Sequence, residues 1–482
     1  MFGNPATLLF AATAPVAIIV AVRYWRNALF GVFVLLVFEG ALRKWAFPGA
    51  QAQLYFGKDI ILLGAYIGFL LDGRRGQFAL KDANAIKIGL ILAFAFGCIE
   101  VINPYSPSIL VGLMGLKMYF LYAPLAFILP YAIKSRQHLL YLIWCYLLIA
   151  IPVAMLGFVQ SAAGPDSFIN TYVGLDESRA DEVSGFGNAV SLGRTTGTFS
   201  YISGYTPYLM FIAFLALGYN IAQGWRIRKN IVPLAALTLV VGAMFTTGSR
   251  SPVYTLIATG PVILWWAVTT GVLPLRTAMR LCILLPILGV VALNLSPQAY
   301  EAFTERAQGS SDSTIDRLLS PAVQTLEALS NAPALGTGIG TTHPSALAIV
   351  GATWSWWLEG LQTETEMARV TVELGAIGLL LIFGLRIMVV VFALRSAFLF
   401  RGPVYRAFGF VLTVHLALGL INSIMLSATE GLYYWGALGL VFAMRRLEQA
   451  ERTKAETVPV SVQTTLRSPG CSSSRLSCGL VA

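Results

Sequence analysis

The sequence predicts an all-α integral membrane protein, a polytopic bundle of about 12–13 transmembrane helices with one large extramembrane loop. Two observations lead to this fold class. Hydrophobic residues make up 57% of the 482 residues and charged residues only 12%, which is more apolar surface than a soluble core of this size requires. Apolar stretches near the length of a bilayer span, about 20 residues, also recur along most of the chain.

The candidate spans divide the chain into four parts. They cover residues 6–22, 28–41, 59–72, 88–102, 113–132, 138–160, 203–222, 231–247, 253–270, 281–295, 371–393, 407–425 and 431–446. Residues 1–295 therefore hold ten spans, 296–370 form the large loop, and 371–446 hold the C-terminal spans. The tail at 447–482 is rich in Ser, Thr and Arg, and we expect it to be cytoplasmic and disordered.

Basic clusters separate these spans at alternate connections. The clusters lie at 23–27, 73–81, 134–136, 225–229, 274–280, 395–402 and 445–446. Because cytoplasmic loops are enriched in Lys and Arg, this alternation places these clusters inside and the loop 296–370 outside. The net charge of +10 is thus explained by membrane orientation, and it does not indicate nucleic-acid binding.

The predicted outer side nevertheless keeps an unusual set of cations. They are Arg43, Lys44, Lys58, Lys117, Arg179, Arg194, Arg250, Arg306, Arg317 and Arg369. Orientation rules should deplete such residues next to outer span ends. A salt bridge to a loop carboxylate explains any one of them, but the whole set favours an anionic ligand on this side.

The short stretch "TTGSRSP" at 246–252 joins two candidate spans. Ser251 is the expected N-cap and Pro252 the first helical residue, so a helix N-terminus begins beside Arg250. Free backbone N–H groups and a guanidinium together make a site suited to phosphate. The alternative is an arginine that extends to the lipid headgroups.

The end of the large loop carries candidate catalytic groups. If the helix has begun by residue 362, then Gln362, Glu366, Arg369 and Glu373 share one face. A carboxylate beside an arginine is either a general base or a salt-bridge partner. His343 is the rival base.

The sequence does not indicate a dinucleotide site or a metal site. The stretch "ALGTGIG" at 334–340 lacks a strand–helix–strand context, so we interpret it as a flexible turn that allows close backbone approach and not as a dinucleotide loop. No carboxylate cluster has metal-ligand spacing, and Asp312 and Asp316 are the nearest candidates. We therefore expect no metal and no cofactor.

Four of these segments carry a family resemblance. They are "GRTTGTFSY" before a span, "TTGSRSPVYTL", "NAPALGTGIGTTHPS", and "ETEMARVTVELGAIGLLL". In this order, over roughly residues 190–385, they resemble the O-antigen ligase and O-antigen polymerase superfamily of bacterial envelope glycosyltransferases. The second matches the family's Ser-Arg turn, the third its P-x-x-G-x-G-x-G stretch, and the last its closing H-N…E-x-G-x-x-G element.

One position departs from the family pattern. Counting back from Glu373, the family's histidine falls on Glu364 and its asparagine on Thr365. The base has become a carboxylate, or has moved to Glu366 or His343, so the catalytic candidates are Glu364, Glu366 and His343. The departure argues against a typical ligase and favours a polymerase or an exopolysaccharide variant.

The resemblance implies a GT-C-like helical bundle in the bacterial inner membrane whose active face is periplasmic. The implied reaction is metal-independent transfer of a glycan from undecaprenyl diphosphate to an acceptor hydroxyl on a glycan or lipid. A chain-length regulator is a partner that such an enzyme can have, and no nucleic acid is expected. The expected ligands of the diphosphate are Arg194, Arg250, Arg317 and Arg369, since arginine can neutralise a leaving diphosphate.

The alternative is a transporter or flippase for lipid-linked glycans. It would also need outer arginines, but it should show a central polar pathway or repeated halves, and neither is visible in the sequence.

Overall fold

The computed structural model describes residues 5–73, 83–164, 167–171, 194–225, 230–281, 283, 314–351 and 363–457. The described residues are 80% helical and contain no strand. The predicted all-α class is therefore confirmed.

The helices follow the apolar runs of the sequence. They are α1 (Pro5–Arg23), α2 (Trp25–Ala41), α3 (Gln51–Leu71), α4 (Asn84–Glu100), α5 (Ile109–Phe120), α6 (Ala123–Ala132), α7 (Arg136–Ala163), α8 (Ile202–Ala222), α9 (Ile231–Thr246), α10 (Ser251–Thr269), α11 (Thr314–Asn331), α12 (Pro344–Val350), α13 (Glu366–Leu399), α14 (Pro403–Leu418) and α15 (Ala428–Thr457). A π-helical turn, Leu42–Ala46, and a 3₁₀ turn, Pro48–Ala50, connect α2 to α3.

Six helical stretches of the described chain are long and apolar enough to cross a membrane. They are Trp25–Ala46, Gln53–Leu71, Arg136–Ala163, Ile202–Ala222, Ser251–Thr269 and Glu366–Leu399. The bent pair α5–α6 gives a seventh if it forms one span, and α1, α9 and α14 contribute shorter apolar helices. These are the elements of a membrane-embedded helical protein. The count of 12–13 spans stays a prediction, and most of the segment 281–295 lies outside the described residues.

Two predicted spans differ from the observed helices. The run 113–132 is divided at Phe120, and α5 and α6 meet at 40°. Pro124, in the first turn of α6, lacks the N–H that would continue α5 into α6, so the apolar run cannot form one straight helix. The last helix extends to Thr457, beyond the predicted end of the span at 446.

Contacts between connecting segments divide the helix ends into two groups. Arg26 lies 2.9 Å from Asp72, and Arg406 donates a 3.1 Å hydrogen bond to the carbonyl of Thr270. All four residues lie in or beside loops predicted to be cytoplasmic. We call this group the inner end of the bundle.

The other group joins loops that were predicted outside. Lys44 donates a 2.8 Å hydrogen bond to Thr196, and Ser427 donates one of 2.9 Å to the carbonyl of Ser203. We call this group the outer end. The grouping agrees with the predicted alternation of sides, while the assignment of the outer end to the periplasm stays a prediction.

Helix α13 reverses direction at Gly375. A straight helix would separate Glu366 from Arg386 by about 30 Å, at 1.5 Å per residue, yet their side chains form a direct ion pair. Gly375 has φ 62° and ψ −166°, a conformation that is essentially restricted to glycine. Residues 366–374 therefore fold back along residues 376–399, and the reversal brings the predicted catalytic segment onto the outer end.

We expect Gly375→Ala to destabilise the protein by more than roughly 1–3 kcal/mol, because the new Cβ would collide with the backbone of Ala334. Gly384→Ala is the matched control, since no atom lies within 4 Å of a Cβ at this helical position. It should be neutral or stabilising by roughly 0.5–1 kcal/mol. Thermal unfolding in detergent compares the two, and equal melting temperatures would contradict the reversal.

Candidate functional site

The glycine loop of residues 336–342 is held in place by Glu373. The carboxylate of Glu373 accepts hydrogen bonds from the hydroxyl of Tyr119 at 2.7 Å, from the N–H of Gly340 at 2.9 Å and from the N–H of Thr342 at 2.9 Å. Only 1% of the residue is exposed. A buried carboxylate with this many donors is a structural anchor, so Glu373 fixes the loop against α5 and α13.

The glycines of this loop are needed for close backbone approach. Gly336, Gly338 and Gly340 have φ of 80°, 101° and 87°, values that disfavour any other residue. A Cβ on Gly340 would lie 2.7 Å from the Cα of Gly115, and one on Gly336 would meet the backbone of Glu373. The interpretation of "ALGTGIG" as a close-approach turn is confirmed, but the loop is pinned and not flexible.

Arg369 binds the same loop without a direct carboxylate partner. Its guanidinium donates to the hydroxyl of Thr342 at 2.9 Å and to the carbonyl of Thr363 at 2.6 Å. The residue is 9% exposed, and no described carboxylate pairs with it. The Thr342 hydroxyl in turn donates to Glu373 at 2.6 Å, so the guanidinium contacts only neutral oxygens directly and can take an anion as a further partner.

His343 lies beside this arginine, at the end of the glycine loop. Its Nδ1 accepts a 3.1 Å hydrogen bond from the N–H of Ser345 and lies 2.6 Å from the Ser345 hydroxyl. The N–H is accordingly assigned to Nε2. Burial, with the charges on Arg369 and Lys117, lowers the pKa of His343 to about 4. A base this weak, with its acceptor nitrogen occupied, is poorly suited to remove a proton near neutral pH.

Glu366 is an internal ion-pair residue. It pairs with Arg386 and accepts a 3.2 Å hydrogen bond from the N–H of Met425. It is 1% exposed, so a substrate hydroxyl cannot reach it. The sequence allowed this carboxylate to be a general base or a salt-bridge partner. We therefore interpret Glu366 as a salt-bridge partner.

Glu364 is the accessible carboxylate of this segment. It is exposed, and it forms no hydrogen bond or ion pair with any described residue. The condition that the helix has begun by residue 362 is not met. Thr365 is the N-cap of α13 and accepts from the N–H of Ala368 at 3.5 Å, so Glu364 precedes the helix, next to the Thr363 carbonyl that Arg369 binds.

Arg194 and Arg250, which were also predicted to bind the diphosphate, lie on neighbouring segments. Thr195 and Thr246 are joined by a 2.8 Å hydroxyl contact, which brings the segment after Arg194 against the C-terminal end of α9, just before Arg250. Both arginines are partly exposed. Helix α10 begins at Ser251 with Arg250 as its N-cap, one residue earlier than predicted.

The remaining predicted cations on the large loops are not all described. Arg317 lies on α11, and its side chain is outside the described part of the chain. Arg179 and Arg306 are also outside it. Their proposed contacts with an anionic ligand stay predictions.

Lys44 fixes the "GRTTGTFSY" segment to the bundle. The residue is 1% exposed, and its ammonium donates to the Thr196 hydroxyl at 2.8 Å and to the carbonyls of Gly197 and Phe199 at 3.4 and 3.2 Å. Gln160 adds hydrogen bonds to the backbone of the same segment, including one of 2.7 Å from the N–H of Gly197. The three donors of Lys44 are thus used within the protein, and its role is structural.

A network of ion pairs joins α2, α3 and α5 at the outer end. Lys58 lies 2.8 Å from Glu39, Arg43 lies 3.4 Å from the same carboxylate, and Lys117 lies 2.7 Å from Asp59. Sequence reasoning recognised the cations but not their partners. The spacing of Glu39 and Arg43 at i, i+4 was the available signal.

An open cavity of about 110 Å³ adjoins this network. It has three walls: a charged wall with Glu39 from α2, Arg43 from the π-helical turn and Lys58 from α3; the stretch 199–204; and the stretch 426–429. We call it the outer cavity.

The described residues do not provide a metal centre. Among them, no group of three or more His, Cys, Asp or Glu side chains is arranged to hold a metal ion. Asp312 lies outside these residues, as does the side chain of Asp316. Independence of a metal therefore stays a prediction.

No protein-family model matches this chain. A comparison with curated proteins gives no match either.

Proposed function

We propose that this protein is an inner-membrane glycosyltransferase that polymerises or ligates undecaprenyl-diphosphate-linked glycans, as O-antigen or exopolysaccharide, on the periplasmic face. Polymerisation is favoured over ligation because a carboxylate replaces the family's histidine at Glu364. The observation that carries the proposal is that one segment at the outer end holds both the nearly buried Arg369, which has no direct carboxylate partner among the described residues, and the accessible carboxylate of Glu364.

The chemistry divides between these two groups. The acceptor hydroxyl attacks the anomeric carbon of the donor glycan, and Glu364 takes the hydroxyl proton as general base. The bond between the anomeric carbon and the diphosphate oxygen breaks, and its electron pair leaves with the lipid diphosphate. Arg369, with Arg194, Arg250 and Arg317, stabilises the charge on that leaving group, as a cationic oxyanion site does.

A reconstituted reaction tests the proposal. Purified protein in liposomes is given an undecaprenyl-diphosphate-linked oligosaccharide, and released undecaprenyl diphosphate is measured together with glycan length. The proposal requires both products. Movement of the lipid-linked glycan across the bilayer, without release or lengthening, would support the transporter alternative instead.

Arg250→Lys is expected to lower the transfer rate by roughly a hundredfold or more. Lysine keeps the charge but cannot offer the planar pair of donors that fits two phosphate oxygens. The matched control is Arg276→Lys, at an exposed arginine in a predicted inner loop, which should keep full activity. Near-normal transfer by a normally abundant Arg250→Lys protein would mean that Arg250 only anchors the helix end in the headgroups.

A further inference from the structure

The outer cavity has the composition of a sugar-binding site. Hydroxyl-bearing residues from two of its walls, Ser203, Tyr201 and Thr429, face the charged wall across an opening of about 110 Å³. By the same measure a water molecule needs about 10–15 Å³, so the space suits much of one sugar ring. Protein sites for polar ligands commonly combine such hydroxyl groups with an aromatic or aliphatic wall.

The charged wall has an excess of positive charge. Glu39 is shared by two cations, with Lys58 at 2.8 Å and Arg43 at 3.4 Å, so one positive charge is unmatched. The longer contact leaves Arg43 as the weakly paired cation. Its Nη1 bonds Glu39, whereas its Nε and Nη2 make no hydrogen bond with any described residue.

The nearby charges do not cancel this excess. Lys117 and Asp59 form a pair of their own at 2.7 Å. Lys44 lies behind the wall, bound to three neutral oxygens, and it adds positive potential without offering a free donor. The wall is therefore suited to one negative charge that binds Arg43.

We propose that the outer cavity binds a carboxylate-bearing sugar unit, a uronic acid, of the glycan that the enzyme handles. The inference rests on the proposed function and specifies its substrate class. A carboxylate supplies the single charge that Arg43 lacks, and the ring hydroxyls meet the hydroxyl groups of the opposite walls. A phosphate dianion fits less well because Glu39 lies in the same wall and repels the second charge.

Direct binding tests the subsite without any glycan transfer. Protein in lipid nanodiscs is titrated calorimetrically with a trisaccharide containing one glucuronate, and with the same trisaccharide containing glucose instead. We expect the acidic form to bind at least about tenfold tighter, the ratio expected for one charge-assisted hydrogen bond. Inorganic phosphate should compete only weakly.

Variants on two walls separate binding from folding. Arg43→Gln should abolish the preference for the acidic sugar, Arg43→Lys should retain part of it, and Arg276→Gln should leave it unchanged. Thr429→Val, on the opposite wall, should weaken the binding of both trisaccharides to the same extent. Thermal unfolding identifies any variant whose fold is damaged.

Three outcomes would overturn the subsite: equal binding of the two trisaccharides, a preference that survives in Arg43→Gln, or phosphate competing as strongly as the acidic sugar. The two proposals can fail separately. A protein that prefers the acidic sugar but transfers no glycan would disprove the proposed function alone, whereas transfer without preference would disprove the subsite alone.

Discussion

Replacement of Glu364 by glutamine is expected to lower the rate of glycan transfer by roughly 10²–10⁴-fold, the usual contribution of a general base. The residue is exposed and bonds no described residue, so the fold should not change. Initial rates in the reconstituted assay and the melting temperature are measured together.

The control for Glu364→Gln is loss of another exposed carboxylate. Glu327 lies on α11 and is exposed as well, and Glu327→Gln should leave transfer unchanged. If Glu364→Gln is as active as the unaltered protein, the base must be sought elsewhere, and His343 would return as the first candidate despite its lowered pKa.

Glu366→Gln should mainly reduce the stability of the protein, whereas Glu364→Gln should mainly reduce the transfer rate. Glu366→Gln leaves Arg386, which is 5% exposed, as a buried charge without its carboxylate, a change that costs roughly 3–5 kcal/mol. Unfolding in denaturant measures the loss. If Glu366 were the base, its variant would be inactive yet as stable as the unaltered protein.

A double-mutant cycle isolates the ion pair. Replacing Glu366 by Leu and Arg386 by Met together removes both charges, and such apolar replacements are often neutral or stabilising. We therefore expect the double variant to be more stable than either of its single variants, Glu366→Leu and Arg386→Met. Additive losses would mean that the two side chains do not depend on one another.

The sequence predicted much of the helical framework because a helix that crosses a bilayer needs an apolar run of about 20 residues, which is visible in the sequence. It also predicted which loops meet at each end, since basic residues follow the orientation of the chain. The break at Phe120 and the reversal at Gly375 were not predicted. Both lie inside continuous apolar runs, where hydropathy does not distinguish one straight helix from two segments.

The sequence identified the members of the candidate site only as residue types, and their function stays a prediction. Arg369 and Glu364 were recognised from their segment and from the family resemblance, and the close approach of the glycine loop followed from its glycines. The partners were not predictable, because Tyr119 and Glu373 are separated by 254 positions and nothing in one local sequence identifies the other. Glu366 could not be assigned for the same reason, since its pairing with Arg386 depends on the reversal.

The pinning of the glycine loop also bears on biosynthesis. Chains enter the membrane from the N-terminus, and domains form as their last elements emerge. The loop 336–342 needs Tyr119 from one side and Glu373 from the other, and the outer cavity needs Thr429 as well. A nascent chain that has not yet delivered Glu373 therefore has neither feature complete, and one that stops before Thr429 still lacks the outer cavity. Early translation arrest or C-terminal truncation would leave inserted helices without a working site.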